Sequence, residues 1–193
     1  VTSALETLDR ERSWRVRIAI ETGLPVLIDQ VNVVVRGPGT LDPNFTRLTS
    51  SLPIKTGDRL LHPAYERIKT DLQRTANTYG YLDARMLRSE LQVDPTVRKA
   101  SIFLEMETSG QYHFGPTTIE QNAIRESRVR RFLQYREGEP FDASKWLRTQ
   151  FALDDSQYFS TVEVALGERD SVNRIVPMQI TALPSRRSYP FTI

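Results

Sequence analysis

The sequence predicts an α+β protein built from tandem copies of one unit, in which a three-stranded mixed sheet carries two helices on one face. Two observations predict this class. Short segments recur at intervals of roughly 80 residues. Between them, apolar residues follow strand or helix spacing in the order strand, helix, helix, strand, strand. Two helices can cover only one face of such a sheet, which gives a two-layer arrangement.

The recurring segments mark matching positions in the copies. A strand ending is repeated as IAIET at 18–22, LEMET at 104–108 and, more loosely, MQITA at 178–182. A glycine with an acidic neighbour recurs at 57–58 and 138–139, and a tyrosine with an apolar neighbour recurs at 81–82 and 158–159. The second copy is four residues shorter between these markers, about one helical turn. Its second helix is therefore predicted to be shorter, with the same side facing the core.

Residues 1–23 are predicted to be the closing hairpin of a preceding unit. Residues 1–8 have strand composition, residues 10–13 are polar, and Trp14, Val16, Ile18 and Ile20 alternate along the next strand. The sequence begins with Val1 and shows no leader pattern. We therefore expect it to be a piece of a longer protein.

The first complete unit is predicted to span residues 24–110. Its elements are a strand with Val31, Val33 and Val35, a short helix with Phe45, Leu48 and Leu52, a longer helix with Tyr65, Ile68, Leu72 and Ala76, and strands with alternation at 87–93 and 102–106. Asp42 before Pro43 predicts the start of the short helix. Pro63 predicts the start of the longer one, and Gly80 its C-terminal cap.

The second unit is predicted to span residues 111–193. Its elements are a strand at 112–121, a helix near 125–135, a helix after the Asp142 cap with Leu147 and Phe151, and strands at 161–166 and 173–181. Pro177 conflicts with a central position for the last strand, because proline has no N–H to donate. Either a bulge lies there or the strand effectively begins after it.

Connectivity predicts the strand order. The closing hairpin is antiparallel, and the long helical connection lets the first strand pair in parallel with the last, so the last strand is central and the middle strand is an edge. An open edge can bind an extended chain through backbone bonds. The candidate binding residues are therefore Arg85, Leu87, Ser89, Leu91 and Val93 in the first unit and Thr161, Val162, Val164 and Leu166 in the second.

Motifs for chemistry are missing from the sequence. There is no cysteine, the two histidines lie 51 residues apart, and no nucleophile, metal or phosphate-loop pattern is present. We expect no enzyme activity, cofactor or metal. A net charge of +2 with interleaved signs also predicts no nucleic-acid partner. The densest basic cluster consists of Arg128, Arg130 and Arg131. It is either a solvated helix face or a contact surface, which would bind lipid headgroups at a membrane or an acidic partner.

This unit order, the glycine-acidic turn and the tyrosine pair resemble POTRA domains, which precede the barrels of Omp85-superfamily outer-membrane proteins. Segments 23–28 (GLPVLI) with 33–37 (VVVRG), and 112–116 (YHFGP) with 118–120 (TIE), are most similar to the TamA family. The resemblance implies a second POTRA domain at 24–110 and a third at 111–193, leading through residues 188–193 into a C-terminal β-barrel missing from this sequence.

The resemblance also implies function and partners. It implies a periplasmic location in a Gram-negative bacterium, with unfolded or extended outer-membrane proteins such as autotransporters as substrates. It further implies a TamB-like partner anchored in the inner membrane. The alternatives are a BamA-like assembly factor, a two-partner secretion transporter, or a rigid spacer that positions the barrel without touching substrate.

Overall fold

The structure, a computed structural model, describes residues 2–8, 13–19 and 23–185. Within these residues the strands form one two-stranded and two three-stranded sheets. The α+β class and the repeated three-stranded mixed sheet are confirmed. Below, the first unit is residues 24–110 and the second unit is residues 111–185. Residues 188–193, which are expected to lead into the barrel, lie outside the described residues.

The N-terminal hairpin has the predicted pairing. β1 (Thr2–Leu8) and β2 (Ser13–Ala19) are antiparallel, with Thr2 opposite Ala19 and Leu8 opposite Ser13. Ile20 and most of the expected turn lie outside the described residues.

The first unit follows the predicted order of elements. It consists of β3 (Leu27–Arg36), α1 (Pro43–Ser50), α2 (His62–Thr78), β4 (Arg85–Asp94) and β5 (Lys99–Glu107). A 3-10 helix at Pro38–Leu41 connects β3 to α1. The sheet order is β3-β5-β4, with β3 parallel and β4 antiparallel to β5. The expected central last strand and middle edge strand are therefore confirmed.

Local sequence signals set both helix boundaries. The Asp42 carboxylate accepts a bond of 2.8 Å from the Asn44 N–H and so caps α1. α2 ends at Gly80, whose φ of +82° is in the left-handed region. There the Tyr81 N–H donates to the Ala76 carbonyl at 2.8 Å, the pattern of a Schellman cap. Both predicted caps are confirmed.

The core of the first unit lies between its helices and one face of the sheet. It contains the fully buried side chains of Ile68, Leu72 and Ala76 from α2, and of Ile102, Leu104 and Met106 from β5. Burying each of the isoleucine, leucine and methionine side chains is worth about 1.5–3 kcal/mol.

The second unit repeats this topology. It consists of β6 (His113–Glu120), α3 (Glu126–Val129), α4 (Ala143–Asp154), β7 (Phe159–Leu166) and β8 (Ile175–Pro184). The sheet order is β6-β8-β7, again with a parallel and an antiparallel neighbour of the last strand. As predicted, α4 is shorter than α2, with 12 residues against 17.

The helix predicted at 125–135 is only partly confirmed, because it is shorter than predicted. α3 has only four residues, and a 3-10 helix at Arg130–Phe132 follows it before the chain becomes extended at Leu133. The extended backbone lets the Gln134 N–H donate to the Thr149 hydroxyl at 2.9 Å. It also places Tyr135 in a stack on Phe114, with ring centroids 4.2 Å apart. These tertiary contacts replace the continuation of the helix.

The helix after Asp142 is confirmed, but its core-facing side differs from the apolar pair in the sequence. Leu147 and Phe151 are exposed, at 48% and 63%. The fully buried positions are Thr149 and Leu153. The Thr149 hydroxyl can be buried because it donates to the Lys145 carbonyl at 3.0 Å and accepts from Gln134.

The conflict at Pro177 is resolved by a bulge in the neighbouring strand. Pro177 lies inside β8, and the register of β6 shifts between Phe114 and Thr117 directly opposite. A Cβ at Gly115 would lie 3.1 Å from the Pro177 nitrogen. A glycine in the bulge therefore lets β6 approach the residue that has no N–H.

The glycine-acidic turns have the same role in both units. In the first, Ile28 accepts from the Gly57 N–H and donates to the Asp58 carbonyl, both at 2.8 Å. In the second, Phe114 makes the same two bonds with Gly138 and the residue after it, at 2.8 and 2.9 Å. Each turn pairs with the start of the first strand and covers that part of the sheet edge.

Candidate interaction surfaces

β4 is an outer edge of the first sheet with no backbone partner on its outer side. Within residues 23–185, the backbone hydrogen bonds of β4 go only to β5. Of the predicted binding residues there, Arg85, Leu87, Ser89 and Val93 are exposed and Leu91 is half-buried. The predicted open edge is present in this part of the chain.

A bulge breaks the predicted alternation along β4. The register shifts between Met86, which lies opposite Met106, and Arg88, which lies opposite Glu105. Leu87 is the extra residue and is 48% exposed. Ser89, Leu91 and Val93 lie opposite buried residues of β5 as expected, so Leu87 alone leaves the predicted face.

Charged side chains surround this edge. The Arg88 guanidinium donates to the Glu90 carboxylate at 2.8 Å and lies 4.4 Å from the centroid of the Phe103 ring. Gln92 also donates to Glu90, at 2.9 Å. The bond from Arg88, followed by that from Gln92, lowers the pKa of Glu90, so the carboxylate stays charged. Charges beside an open edge oppose uncontrolled pairing between copies.

The corresponding edge of the second unit is occupied by helix side chains. The Trp146 indole N–H donates to the Val164 carbonyl, and the Gln150 amide donates to the Val162 carbonyl, both at 2.7 Å. The Val164 N–H in turn donates to the Gln150 carbonyl oxygen at 2.7 Å. We call the Trp146 and Gln150 side chains the β7 cap. The expected open edge is therefore wrong at Val162 and Val164.

The predicted binding residues of β7 divide between core and surface. Val162 and Val164 are core residues, whereas Thr161 and Leu166 are exposed. A register shift between Phe159 and Thr161 precedes them. Trp146 and Gln150 were not among the residues predicted to line a strand edge. The spacing of four puts both cap residues on one side of a helix, but only the tertiary arrangement turns that side to the strand edge.

The two helices lie differently on their sheets. α2 packs against the central strand β5, whereas α4 packs against the edge strand β7. α2 forms a hydrogen bond to a side chain of β4, between the Tyr65 and Ser89 hydroxyls at 3.0 Å. Gln73, which matches Gln150 in the repeat, donates to Asn77 of its own helix at 3.3 Å.

The basic cluster is split by a core residue. Val129 is fully buried, between Arg128 and Arg130 in the chain. Arg130 pairs with Glu126 at 2.7 Å and donates to the Thr117 carbonyl at 3.3 Å. Arg128 and Arg131 are exposed and have no ion pair within the described residues. Two of the three predicted basic residues are thus available to an anionic partner.

A set of specific bonds joins the two units. The Tyr112 N–H donates to the Gly80 carbonyl at 2.8 Å, and the Gln111 amide donates to the Tyr79 carbonyl at 2.8 Å. The buried Tyr112 hydroxyl donates to the Asp83 carboxylate at 2.7 Å. Burial first, and then the bond to Asp83, raises the pKa of Tyr112.

Packing at Gly80 adds to these bonds. A Cβ on Gly80 would lie 3.0 Å from the Phe141 carbonyl oxygen and 3.1 Å from the Tyr112 carbonyl oxygen. Arg169 also reaches back to the first unit and donates to the Leu82 carbonyl at 3.3 Å. The second unit therefore contacts the end of α2 closely enough to exclude a side chain there.

A groove of about 570 Å³ lies beside this junction. One wall comes from α2 and the other from α4 and its flanking residues. The lining residues are Thr70, Gln73, Arg74, Asn77, Thr78, Leu82, Phe141, Ala143, Trp146 and Leu166. The groove is bordered by the same Trp146 that caps β7.

The described residues contain no group of three or more histidine, aspartate or glutamate side chains that could share a metal ion. His62 lies 3.7 Å from Glu66 on an exposed helix face and has no further acidic neighbour within that distance. None of the helices that the structure describes combines the length and hydropathy of a membrane span.

Comparison with known proteins finds a family similarity in the second unit. The family model of POTRA, described as surface antigen variable number repeat, matches residues 112–180. This segment is therefore similar to POTRA domains.

Solved structures give the same fold. BamA from Haemophilus ducreyi lacking POTRA domains 1–3 matches with a TM-score of 0.61 and 14% identity, over 82% of this chain. POTRA domains 3–5 of Haemophilus influenzae BamA match with a TM-score of 0.56 and 16% identity. This match covers 94% of this chain and 70% of the other. POTRA domains 1–2 of the periplasmic domain of Anabaena Omp85 match with a TM-score of 0.51 and 12% identity. This match covers 82% of this chain and 96% of the other.

The second match covers nearly the whole chain, so both units have the POTRA fold. The chain spans 29% of the length of the Haemophilus ducreyi protein.

Proposed function

We propose that this chain is a periplasmic part of an Omp85-superfamily outer-membrane protein and that it receives an extended strand from a substrate or partner on the outer edge of β4. The observation that carries the proposal is the unpaired edge of β4 within residues 23–185. Backbone groups on such an edge bind an extended chain with little demand on its sequence. This suits a receptor for many unfolded membrane proteins.

The whole protein would act in assembly or secretion of outer-membrane proteins. The POTRA match at 112–180 and the likeness to BamA and Omp85 support this proposal. In this proposal residues 1–23 close a preceding POTRA domain, and a C-terminal β-barrel follows the second unit.

The finer assignment rests on the sequence resemblance. We propose a TamA-like protein with autotransporter substrates and a TamB-like partner in the inner membrane. A BamA-like factor and a two-partner secretion transporter are the alternatives, which the number of POTRA domains in the full-length chain distinguishes. Arg128 and Arg131 would meet anionic headgroups at the membrane surface.

The test is site-specific photocrosslinking in the full-length protein in its own bacterium. A photoreactive residue replaces Gln92 on β4, and matched positions are Arg67 on the exposed face of α2 and Arg148 on α4. The proposal expects adducts with unfolded outer-membrane proteins or a partner from Gln92 and none from the helix positions. Adducts confined to the helix positions would contradict strand binding at β4.

A rigid spacer is a second candidate, favoured by the direct bonds from Tyr112 to Gly80 and Asp83. Small-angle scattering would show a fixed angle between the units in either case. Lack of adducts from Gln92, together with a fixed angle, would favour the spacer.

A further inference from the structure

The β7 cap has the chemistry of a missing strand. A strand added to an edge supplies alternating donors and acceptors to the outward carbonyl and N–H groups. The Gln150 amide supplies one of each, to the Val162 carbonyl and from the Val164 N–H. Trp146 supplies a second donor, to the Val164 carbonyl. Three consecutive outward backbone groups of β7 are therefore satisfied by one helix.

Packing holds both cap side chains in place. Trp146 and Gln150 are half-buried and one helical turn apart, so they lie on the same side of α4. Trp146 packs against the core of the second unit. The fully buried Leu153 anchors the following turn of the helix. An incoming strand would therefore have to displace ordered side chains as well as break three hydrogen bonds.

The first unit shows what the same fold does without a cap. Gln73 occupies the position in α2 that Gln150 occupies in α4, and each donates to the residue four positions on in its helix, Asn77 and Asp154. Of the two, within the described residues, Gln150 alone also bonds to the backbone of the middle strand. α2 lies over β5 rather than over the edge. The outer backbone groups of β4 receive no side-chain bond within residues 23–185. The two units thus share a topology and differ in access to the middle strand.

We infer that Gln150 and Trp146 are specificity-determining residues that exclude incoming strands from β7 and so direct strand binding to β4. This inference rests on the proposed function, because it assigns the choice between the two edges. An incoming strand must break three hydrogen bonds at β7, and each broken bond lowers the affinity of the strand by a factor of several. The cap is consequently expected to weaken strand binding there by about tenfold or more.

The test uses the isotope-labelled chain and a soluble ten-residue peptide of alternating threonine and valine. Amide shifts report binding separately at β4, through Arg88 to Asp94, and at β7, through Thr161 to Leu166. In the native chain we expect peptide-dependent shifts along β4 and none along β7. In Gln150→Ala, and more strongly with Trp146→Phe added, we expect shifts along β7 at peptide concentrations at least tenfold lower than the native chain needs.

Control variants separate the cap from general loosening. Gln73→Ala removes the matching residue of the first unit and is expected to leave binding at both edges unchanged. If Gln150→Ala unfolds the second unit, Gln150→Glu is measured instead. It keeps the acceptor for the Val164 N–H and loses the donor to Val162, and an intermediate gain at β7 is expected.

The outcomes at the two edges are independent. Peptide binding to β7 of the native chain as tight as that to β7 of the folded cap variants would overturn the inference, because the cap would then exclude nothing. Gain at β7 together with no binding at β4 would support the cap and contradict the proposed function. Binding at β4 with no gain at β7 would do the reverse.

Discussion

The two units have the same strand order but treat their middle strands differently. α2 is 17 residues long and lies over the central strand, whereas α4 has 12 residues and lies over the edge strand. Among the residues that the structure describes, only α4 therefore brings hydrogen-bonding side chains to the outer backbone of the middle strand. A repeated fold thus preserves topology while small changes in helix placement decide which edges stay available.

The largest expected effects come from the core position of each second helix. Leu72→Ala and Leu153→Ala each remove a fully buried side chain and should lower the free energy of unfolding by about 2–5 kcal/mol. The two variants should differ in one respect, because Leu153→Ala should also loosen the β7 cap. Urea unfolding measures the loss, and Trp146 fluorescence in a Trp14→Phe background reports the second unit alone. A native Trp146 environment in folded Leu153→Ala would contradict the link between helix packing and cap.

A second pair of variants compares the glycines at the junction and in the second unit's turn. Gly80 and Gly138 both have φ of +82°, so alanine should cost each about 1–2 kcal/mol. Only at Gly80 does a Cβ meet the other unit, whereas nothing lies within 4 Å at Gly138. Overpacking should add about 1–3 kcal/mol to Gly80→Ala.

The readout for this pair is urea unfolding together with small-angle scattering. Gly80→Ala should change the inter-unit distance distribution, and Gly138→Ala should leave it as in the native chain. Equal losses with unchanged scattering for both variants would show that the junction does not depend on close contact at Gly80.

The N-cap residues give a smaller contrast. Asp42→Ala and Asp142→Ala should each cost about 0.5–2 kcal/mol. The loss for Asp42→Ala should lie at the upper end of this range, because the Asp42 carboxylate also accepts a hydrogen bond from the Tyr81 hydroxyl at 3.1 Å. The Asp142 carboxylate accepts from Ser144 of its own helix. Urea unfolding of the two variants checks the order. A larger loss for Asp142→Ala would show that the bond to Tyr81 contributes little.

The pH dependence of the first unit should follow from the same contact. Burial first, and then the Asp42 charge and hydrogen bond, raise the pKa of Tyr81 to about 12. A raised phenol pKa stabilises the folded state fully below the unfolded value near 10, and the stabilisation is lost as the pH rises through 12. Urea unfolding between pH 9 and 12 should show this loss, reduced in Asp42→Asn.

Tyr158 provides the control for that titration. It matches Tyr81 in the repeat but makes ring contacts with Phe132 and Phe159 instead of a bond to a carboxylate. Tyr158→Phe should therefore leave the alkaline loss of the first unit unchanged. An equal reduction in Tyr158→Phe and Asp42→Asn would contradict the assignment to Tyr81.

Much of the fold could be predicted because its signals are local. The caps at Asp42 and Gly80 and the alternation in β5 depend on neighbouring residues, and the structure confirms them. The strand order followed from chain connectivity. The helix predicted near 125–135 was too long, because its end is set by contacts of Gln134 and Tyr135 with distant residues.

The candidate site was harder to predict from the sequence, because it too depends on contacts between distant residues. Both middle strands have strand composition and an edge position, so the sequence does not distinguish β4 from β7. The difference depends on where α4 lies over its sheet, which in turn depends on burial of Thr149 and exposure of Phe151 against the apolar pattern. The bulge at Leu87 is likewise a pairing feature and has no local signal.

Amide hydrogen exchange of the native chain tests the central contrast most directly. We expect the Val164 N–H, bonded to Gln150, to exchange as slowly as the amides of the central strand β8, and the outward-facing amides along β4 to exchange fast. Fast exchange at Val164, or uniform protection along the whole of β4, would contradict a capped edge in one unit and an open edge in the other.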